Sequence, residues 1–209
     1  MRANRNFKQP ASPVFSFVVD GECEYWYLQM LKDNEKSLKI RFSPEIYKKS
    51  TLKEQYKRVV ELAKECEKVF WVIDFDVIDK ETREAKTRKK TILQEFQELY
   101  DKCKKNSKIV IVVNNPCFEY WFLLHFEPTT KYFSNYTTLE KALKKHLPNY
   151  KKTEKYFAKT APDIYKRLKP NLQTALANAN KLGKFDFQNT KIGIAEMHKI
   201  FNELNIGNS

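Results

Sequence analysis

Histidine and cysteine are too few and too scattered in this sequence to lay out a metal site or a disulfide framework. The three histidines, His125, His146 and His198, form no HxxxH or similar ligand pair, and Cys23, Cys66, Cys103 and Cys117 show neither CxxC pairing nor regular spacing. Structural zinc and a stapled scaffold are therefore not expected. No apolar run approaches the roughly 20 residues that cross a bilayer. The basic, proline-containing start, "MRANRNFKQPASP", leads into a short apolar run that meets an acidic turn instead of a small-residue cleavage site. These absences lead to the expectation of a cytoplasmic protein with no membrane partner and a flexible basic arm over residues 1–13. Internal repeats and low-complexity linkers are lacking too. Glycine occurs only 4 times in 209 residues, so the one at position 21, directly behind "VFSFVVD", is informative.

What is present suffices for a core. The chain is 42% hydrophobic and 14% aromatic, and its length suits one domain or one domain with an appendage. Apolar runs alternate with amphipathic stretches. "VFSFVV" reads as a strand, Tyr25 to Asn34 as a helix and "SLKIRF" as a short strand. Residues 51–67 return to helical periodicity, with Leu52, Tyr56, Val59, Val60, Ala63 and Cys66 on one face. "KVFWVID" is a second strong strand, "KKTILQEFQELYDKCKK" another helix and "KIVIVVNN" a third strong strand. This order predicts right-handed crossovers and an α/β fold, with a mostly parallel sheet flanked by helices. The three strong strands then end at one edge. The α/β domain is expected over residues 14–135 and a helical, basic C-terminal part over 136–209.

The charge balance points to polyanions. A formal net charge of +13 favours contact with nucleic acid. The excess is concentrated late: residues 141–209 hold 14 Lys/Arg against 5 Asp/Glu. Tyr150, Tyr156, Phe157 and Tyr165 lie among these bases, a mixture suited to phosphate contact with base stacking. The competing interpretation is a solvated helical face whose aromatics point into the core.

Acids mark the strand ends. Asp20-Gly21 follows the first strand, and glycine there is expected to supply dihedrals other residues avoid. Asp20, Glu22 and Glu24 are either site residues at a sheet edge or ordinary acids at a helix start. The second strong strand runs out in "WVIDFDVIDK", and period-two spacing is expected to point Asp74 and Asp76 the same way, with Asp79 further on. Two carboxylates held that close suit a hard divalent cation; a solvated loop or a helix cap is the plainer alternative. After the third strand, Pro116 is expected to open a helix carrying Glu119 in its first turn.

A carboxylate-glycine turn followed by a DxD at a later strand end is similar to the Toprim domain of type II topoisomerases, bacterial primases and OLD-family nucleases. The fuller set, "VVDGECEYWYLQML", "VFWVIDFDVIDK", "NNPCFEYWFLLHF" and "YKKT", resembles the RloB-like (AbiLii-type) family of bacterial phage-defence and abortive-infection proteins, from about Phe15 to Thr153. The resemblance implies a Toprim-like sheet and Mg²⁺- or Mn²⁺-dependent cleavage of nucleic acid, in company with a partner protein such as a defence-system ATPase. It assigns Asp20, Glu24, Asp74 and Asp76 to metal binding. Asp20 stands where the Toprim pattern has glutamate, and Glu24 is preferred to Glu22 as the second acid because it lies one helical turn on. Asn115 and Glu119 fall in the Asn-Pro-Cys-Phe-Glu block, and Glu119, matching its acid, is expected to join these four as a catalytic residue. Lys151, Lys152 and Lys155 are expected to contact nucleic acid, with Lys151 or Lys152 facing the transition state. His125, in an apolar helix, is assigned to the core. A non-catalytic module that senses nucleic acid or a nucleotide is the alternative.

Overall fold

The structure is a computed structural model that describes residues 13–38, 41–46, 50–84 and 90–207. The N-terminal arm expected over residues 1–13 lies, apart from residue 13, outside them. Five strands form one sheet: β1 (Val14–Val19), β2 (Arg41–Ile46), β3 (Lys68–Asp74), β4 (Ile109–Asn115) and β5 (Ile194–Ala195), in the order β2-β1-β3-β4-β5. The first four are parallel, with Val18 opposite Trp71 and Asp74 opposite Asn114. Their carboxyl ends share one edge, as expected.

β3 and β4 are covered on both faces, which explains why they read as unbroken apolar runs. Alternation divides them between two cores. Phe17, Phe70, Val72 and Val112 face α1 (Glu22–Asn34), α5 (Glu119–Leu123) and the C-terminal helices. Val18, Trp71, Ile73 and Val113 face α2 (Leu52–Glu65), α3 (Phe75–Glu84) and α4 (Ile92–Cys103). Helices α2 and α4 both begin with a capping box, Thr51 with Glu54 and Thr91 with Gln94, so each start is fixed by reciprocal side-chain and backbone bonds.

The pattern after residue 115 is not helical throughout. It includes α6 (Tyr136–Leu143), a π-helical turn (Lys155–Lys159), α7 (Ile164–Leu168), α8 (Leu172–Leu182) and α9 (His198–Glu203). It also supplies β5, which pairs antiparallel with the end of β4. Two residues are too few to show alternation, so this strand was invisible as a pattern. "SLKIRF" was displaced as well: the strand is Arg41–Ile46, and residues 39 and 40 lie outside the described set. Residues on both sides of the expected 135/136 boundary, from Phe15 to Ile206, share one apolar cluster.

Glu196 secures the β4 edge. It is wholly buried. Its Oε2 accepts from the Val113 backbone N–H at 3.0 Å and from Lys199 Nζ at 2.6 Å, and its Oε1 accepts from the Phe185 N–H at 3.0 Å. One carboxylate thus substitutes for missing strand partners. Glu196→Leu would leave two buried N–H groups without acceptors and the Lys199 ammonium with the Ile111 carbonyl but no counter-charge. Removal of one partner of a buried network is worth about 3–5 kcal/mol, and urea unfolding should show a loss of that size.

Candidate functional site

The acids that the sequence places at strand ends do gather at the carboxyl edge, by routes that differ from the expected ones. Gly21 has φ −124° and ψ 167°, ordinary extended backbone. Its glycine leaves space for a neighbouring side chain and is not needed for dihedral freedom. A Cβ at this position would meet Glu24 Oε2 at 2.5 Å, so the Glu24 side chain folds back over the turn. Helix α1 begins at Glu22, three residues earlier than its apolar pattern. Glu24 therefore lies buried in the first turn, while Glu22 stays exposed at the rim.

Asp20 leans toward the other face of the sheet. Its Oδ1 accepts from Gln55 Nε2 at 2.6 Å, and Gln55 Oε1 accepts from Trp71 Nε1 at 2.8 Å. An indole N–H can only donate, so it fixes the orientation of the Gln55 amide, and that amide in turn orients Asp20. Gln55 is a buried polar residue on an otherwise apolar helix face. This was its one signal in the sequence, and it was missed.

The DxD pair is not a strand-end alternation. β3 stops at Asp74 and α3 starts at Phe75, so Asp76 stands in a first helical turn, where its backbone N–H donates to the Pro116 carbonyl at 2.9 Å. The strand-helix junction brings the two acids into electrostatic reach of one another. Asp79 pairs instead with Arg83 at 3.2 Å along the helix surface.

Glu119 opens α5, with Pro116 ahead of the helix instead of within it. It is fully buried. Its Oε1 accepts from Tyr150 Oη at 2.8 Å and faces Lys152 Nζ at 2.9 Å, while Oε2 has no partner. Lys152 also lies 3.8 Å over the Tyr136 ring. Burial alone would lower the Lys152 ammonium, but Glu119 beside it holds it above the ordinary lysine range.

These groups line a cavity of about 290 Å³, walled by Asp20, Gly21, Glu24, Trp26, Asp74 and Glu119 with Lys152 across it. A larger cleft of about 790 Å³ shares Asp20 and Asp74 and continues past Gln55, Glu81 and Glu95. Desolvation is the first reason that the acids depart from solution behaviour. With Glu119 nearby it pushes Glu24 up to about 7. Desolvation pushes Asp76 up to about 6 against the pull of Lys152. Asp74 is raised well above the carboxylate range by desolvation, then by Glu24 and Asp76. Asp20 is raised by burial, opposed by its Gln55 bond. The Cys23 and Cys117 thiols are raised by burial too, so neither is a thiolate at neutral pH.

Buried polar atoms without partners concentrate here. They include Asp74 Oδ1, Glu119 Oε2 and both side-chain polar atoms of Asn114. Register places Asn114 beside Asp74 on the same sheet face. Asn115, singled out in the sequence, instead donates to the carbonyls of Thr190 and Ile192 and ties down the segment before β5. His125 is a core residue, with Nδ1–H donating to the Trp121 carbonyl at 2.9 Å. Among the described residues, no three His, Cys, Asp or Glu side chains form a group that could hold a metal ion as they stand.

The basic tract is divided. Of the three expected lysines only Lys152 reaches the cavity; Lys151 and Lys155 are exposed outside it. Lys144, Lys159, Lys166 and Lys169 pair with Glu140, Glu154, Asp163 and Glu35. Tyr150, Phe157 and Tyr165 point into the core, and the half-buried Tyr156 is covered by Arg167 at 4.0 Å. The expected stacking surface on these aromatics is therefore absent, because they hold the C-terminal helices to the sheet.

Two outcomes follow. In metal-free protein Glu24 binds its proton more tightly folded than unfolded, so its contribution is full below about pH 4 and is lost as pH rises toward 7. Measured by urea unfolding, Glu24→Gln should therefore gain stability relative to wild type between pH 5 and 8, with about 1.4 kcal/mol for each unit of pKa elevation removed. Gln55→Leu should raise Asp20 further, because it deletes the bond that opposes desolvation; an NMR titration of the Asp20 carboxyl would register the shift.

Comparison with known proteins reaches the same region of the chain. No curated protein and no solved structure gives a match. The sequence model of the RloB-like protein family matches residues 15–204, well past Thr153, where the resemblance read from motifs stopped. The match takes in the strands, the acid edge, Lys152 and β5 with Glu196, and this chain belongs to the RloB-like protein family.

Proposed function

We propose that the acid edge is a Toprim-like active site that hydrolyses phosphodiester bonds in nucleic acid with Mg²⁺ or Mn²⁺, in bacterial phage defence of the abortive-infection type. The observation that carries this reading is the set of carboxylates from β1–α1, β3–α3 and α5 that face one cavity while raising one another's affinity for protons. Such a set suits a cation, and the unpartnered Oδ1 of Asp74 is an acceptor left open for one. Asp74, with Glu24, Asp76 and Asp20, would hold the ion. When bound, it would supply charge against a scissile phosphate and a more acidic water.

The chain's own residues have separate tasks. Lys152 presents an ammonium to incoming phosphate and is held in place by Glu119 and the Tyr136 ring. Tyr150 fixes Glu119, and Gln55 fixes Asp20.

A second reading, binding without hydrolysis, is favoured by one observation: no ready-made metal-binding group of three side chains exists among the described residues. Under that reading the site would act with a partner protein, and metal would change nothing.

Purified protein should degrade a mixed DNA and RNA panel with Mg²⁺ and stop on addition of EDTA. In Asp74→Asn with Asp76→Asn, cleavage should fall at least about 100-fold, beyond the 10- to 100-fold typical of residues behind the ligands. The Mg²⁺-induced rise in melting temperature should vanish while nucleic-acid binding persists. No cleavage by the wild type would favour the second reading, and unchanged cleavage in the double variant would reject Asp74 and Asp76 as ligands.

The lysines should separate. Lys151→Ala with Lys155→Ala should weaken binding and flatten its salt dependence by roughly 0.7–0.9 log units per lost phosphate contact. Lys152→Ala should mainly reduce the cleavage rate. Glu119→Gln should lower both stability and rate, since it keeps an acceptor oxygen but removes the charge from a charge-assisted bond, worth about 1.5–3 kcal/mol before allowance for the partial exposure of Lys152. Thermal melts and cleavage time courses on these variants measure both.

A further inference from the structure

The cavity contains one aromatic side chain among its lining residues, Trp26, and the fold gives that ring no structural duty equal to those of the other tryptophans. Trp71 and Trp121 are fully buried, and each donates its indole N–H, to Gln55 and to Tyr27 respectively. Trp26 is half-buried on α1. It rests against Phe157 at 5.6 Å with the rings tilted by 55°, and it shares the cavity with Glu24, Asp74, Glu119 and Lys152. A flat π-face, a cation and a carboxylate cluster within about 290 Å³ match the parts of one nucleotide: base, phosphate and the bond at its end. The tyrosines and phenylalanine of the basic tract offer no comparable face.

We infer that this cavity receives a single unpaired nucleotide, its base stacked on Trp26 and its phosphate directed at Lys152, so that the substrate is single-stranded or base-flipped nucleic acid. The inference rests on the nuclease reading for the nature of the ligand and adds which form of nucleic acid is admitted. A base inside a duplex is covered on both faces by its neighbours, whereas stacking on an indole needs an open face. The cavity is at the lower end of small-ligand pockets, about 300–1,000 Å³, room for one nucleotide but not for a helix. The residues lining the larger cleft beyond Asp20 and Asp74 include no aromatic ring, so a stacked base is favoured on the Trp26 side.

All three tryptophans emit, but the burial of Trp71 and Trp121 leaves Trp26 as the one that a bound base can contact and quench. The test uses the full chain without divalent metal, so that nothing is cut. The probes are a 10-nucleotide mixed-sequence single strand as DNA and as RNA, the same strand with abasic sites, and the matching DNA duplex. Either single strand should quench tryptophan emission to saturation. The abasic strand should bind, by anisotropy of an end label, without quenching, and the duplex should bind at least tenfold more weakly. Trp26→Ala should weaken single-strand binding by about tenfold or more, within the range of one base-aromatic stack. Trp26→Phe should stay within threefold of wild type, with both variants folded by circular dichroism. Single-strand binding without quenching, equal affinity in Trp26→Ala, or a duplex bound as tightly as the strand would overturn the inference while leaving the nuclease reading in place. No binding of any probe would overturn the inference, and the nuclease reading would then stand or fall on cleavage with Mg²⁺.

Discussion

Like charges held in a half-dry cleft are the constraint on which the site depends. Glu24, Asp74, Asp76 and Glu119 each oppose the ionisation of at least one neighbour, and burial denies them the water that would screen them. Among the described residues Lys152 is the one cation lining the cavity, and its ammonium is tied to Glu119, the most deeply buried of these acids. The tie comes from residue 152, far along the chain from the strands, so the C-terminal segment completes the electrostatics of an edge that the sheet begins.

The sheet supplies the geometry. Parallel pairing aligns the ends of β1, β3 and β4, and a helix leaves each of these ends in a different manner. After β1 the glycine at position 21 leaves room for Glu24 to fold back. After β3 the helix begins at once and turns Asp76 under the Pro116 carbonyl. After β4 a three-residue turn delays the helix until Glu119. The acids converge because the three exits differ, which a regular repeat of one turn would not achieve.

Much of this was legible beforehand. β3 matched "KVFWVID" to the residue, and the order of alternating elements set the parallel sheet, since long apolar runs admit few other placements. The acids at the strand ends were identified from position alone. Other features lay beyond reach because they depend on contacts distant in sequence. Gln55 shows in the sequence only as a polar residue on an apolar helix face, and its role depends on Trp71 and Asp20 standing on either side of it. Asn114 reads as a turn residue, yet its register partner is Asp74. Tyr150, Phe157 and Tyr165 looked like a stacking surface because composition cannot tell which way a ring points; here they face the core.

The closure of β4 by Glu196 also has a consequence for how the chain is made. The Val113 N–H waits for an acceptor 83 residues further on. At 5–20 residues per second, on the order of 4–17 s separate the synthesis of the two. For that interval the growing polypeptide carries a strand edge of mostly apolar residues with no partner beside it, the kind of surface that recruits other unfinished chains. Rare codons or stalling between positions 115 and 196 would lengthen the exposure, so the yield of native protein is tied to translation speed over a stretch that contributes only two residues to the sheet.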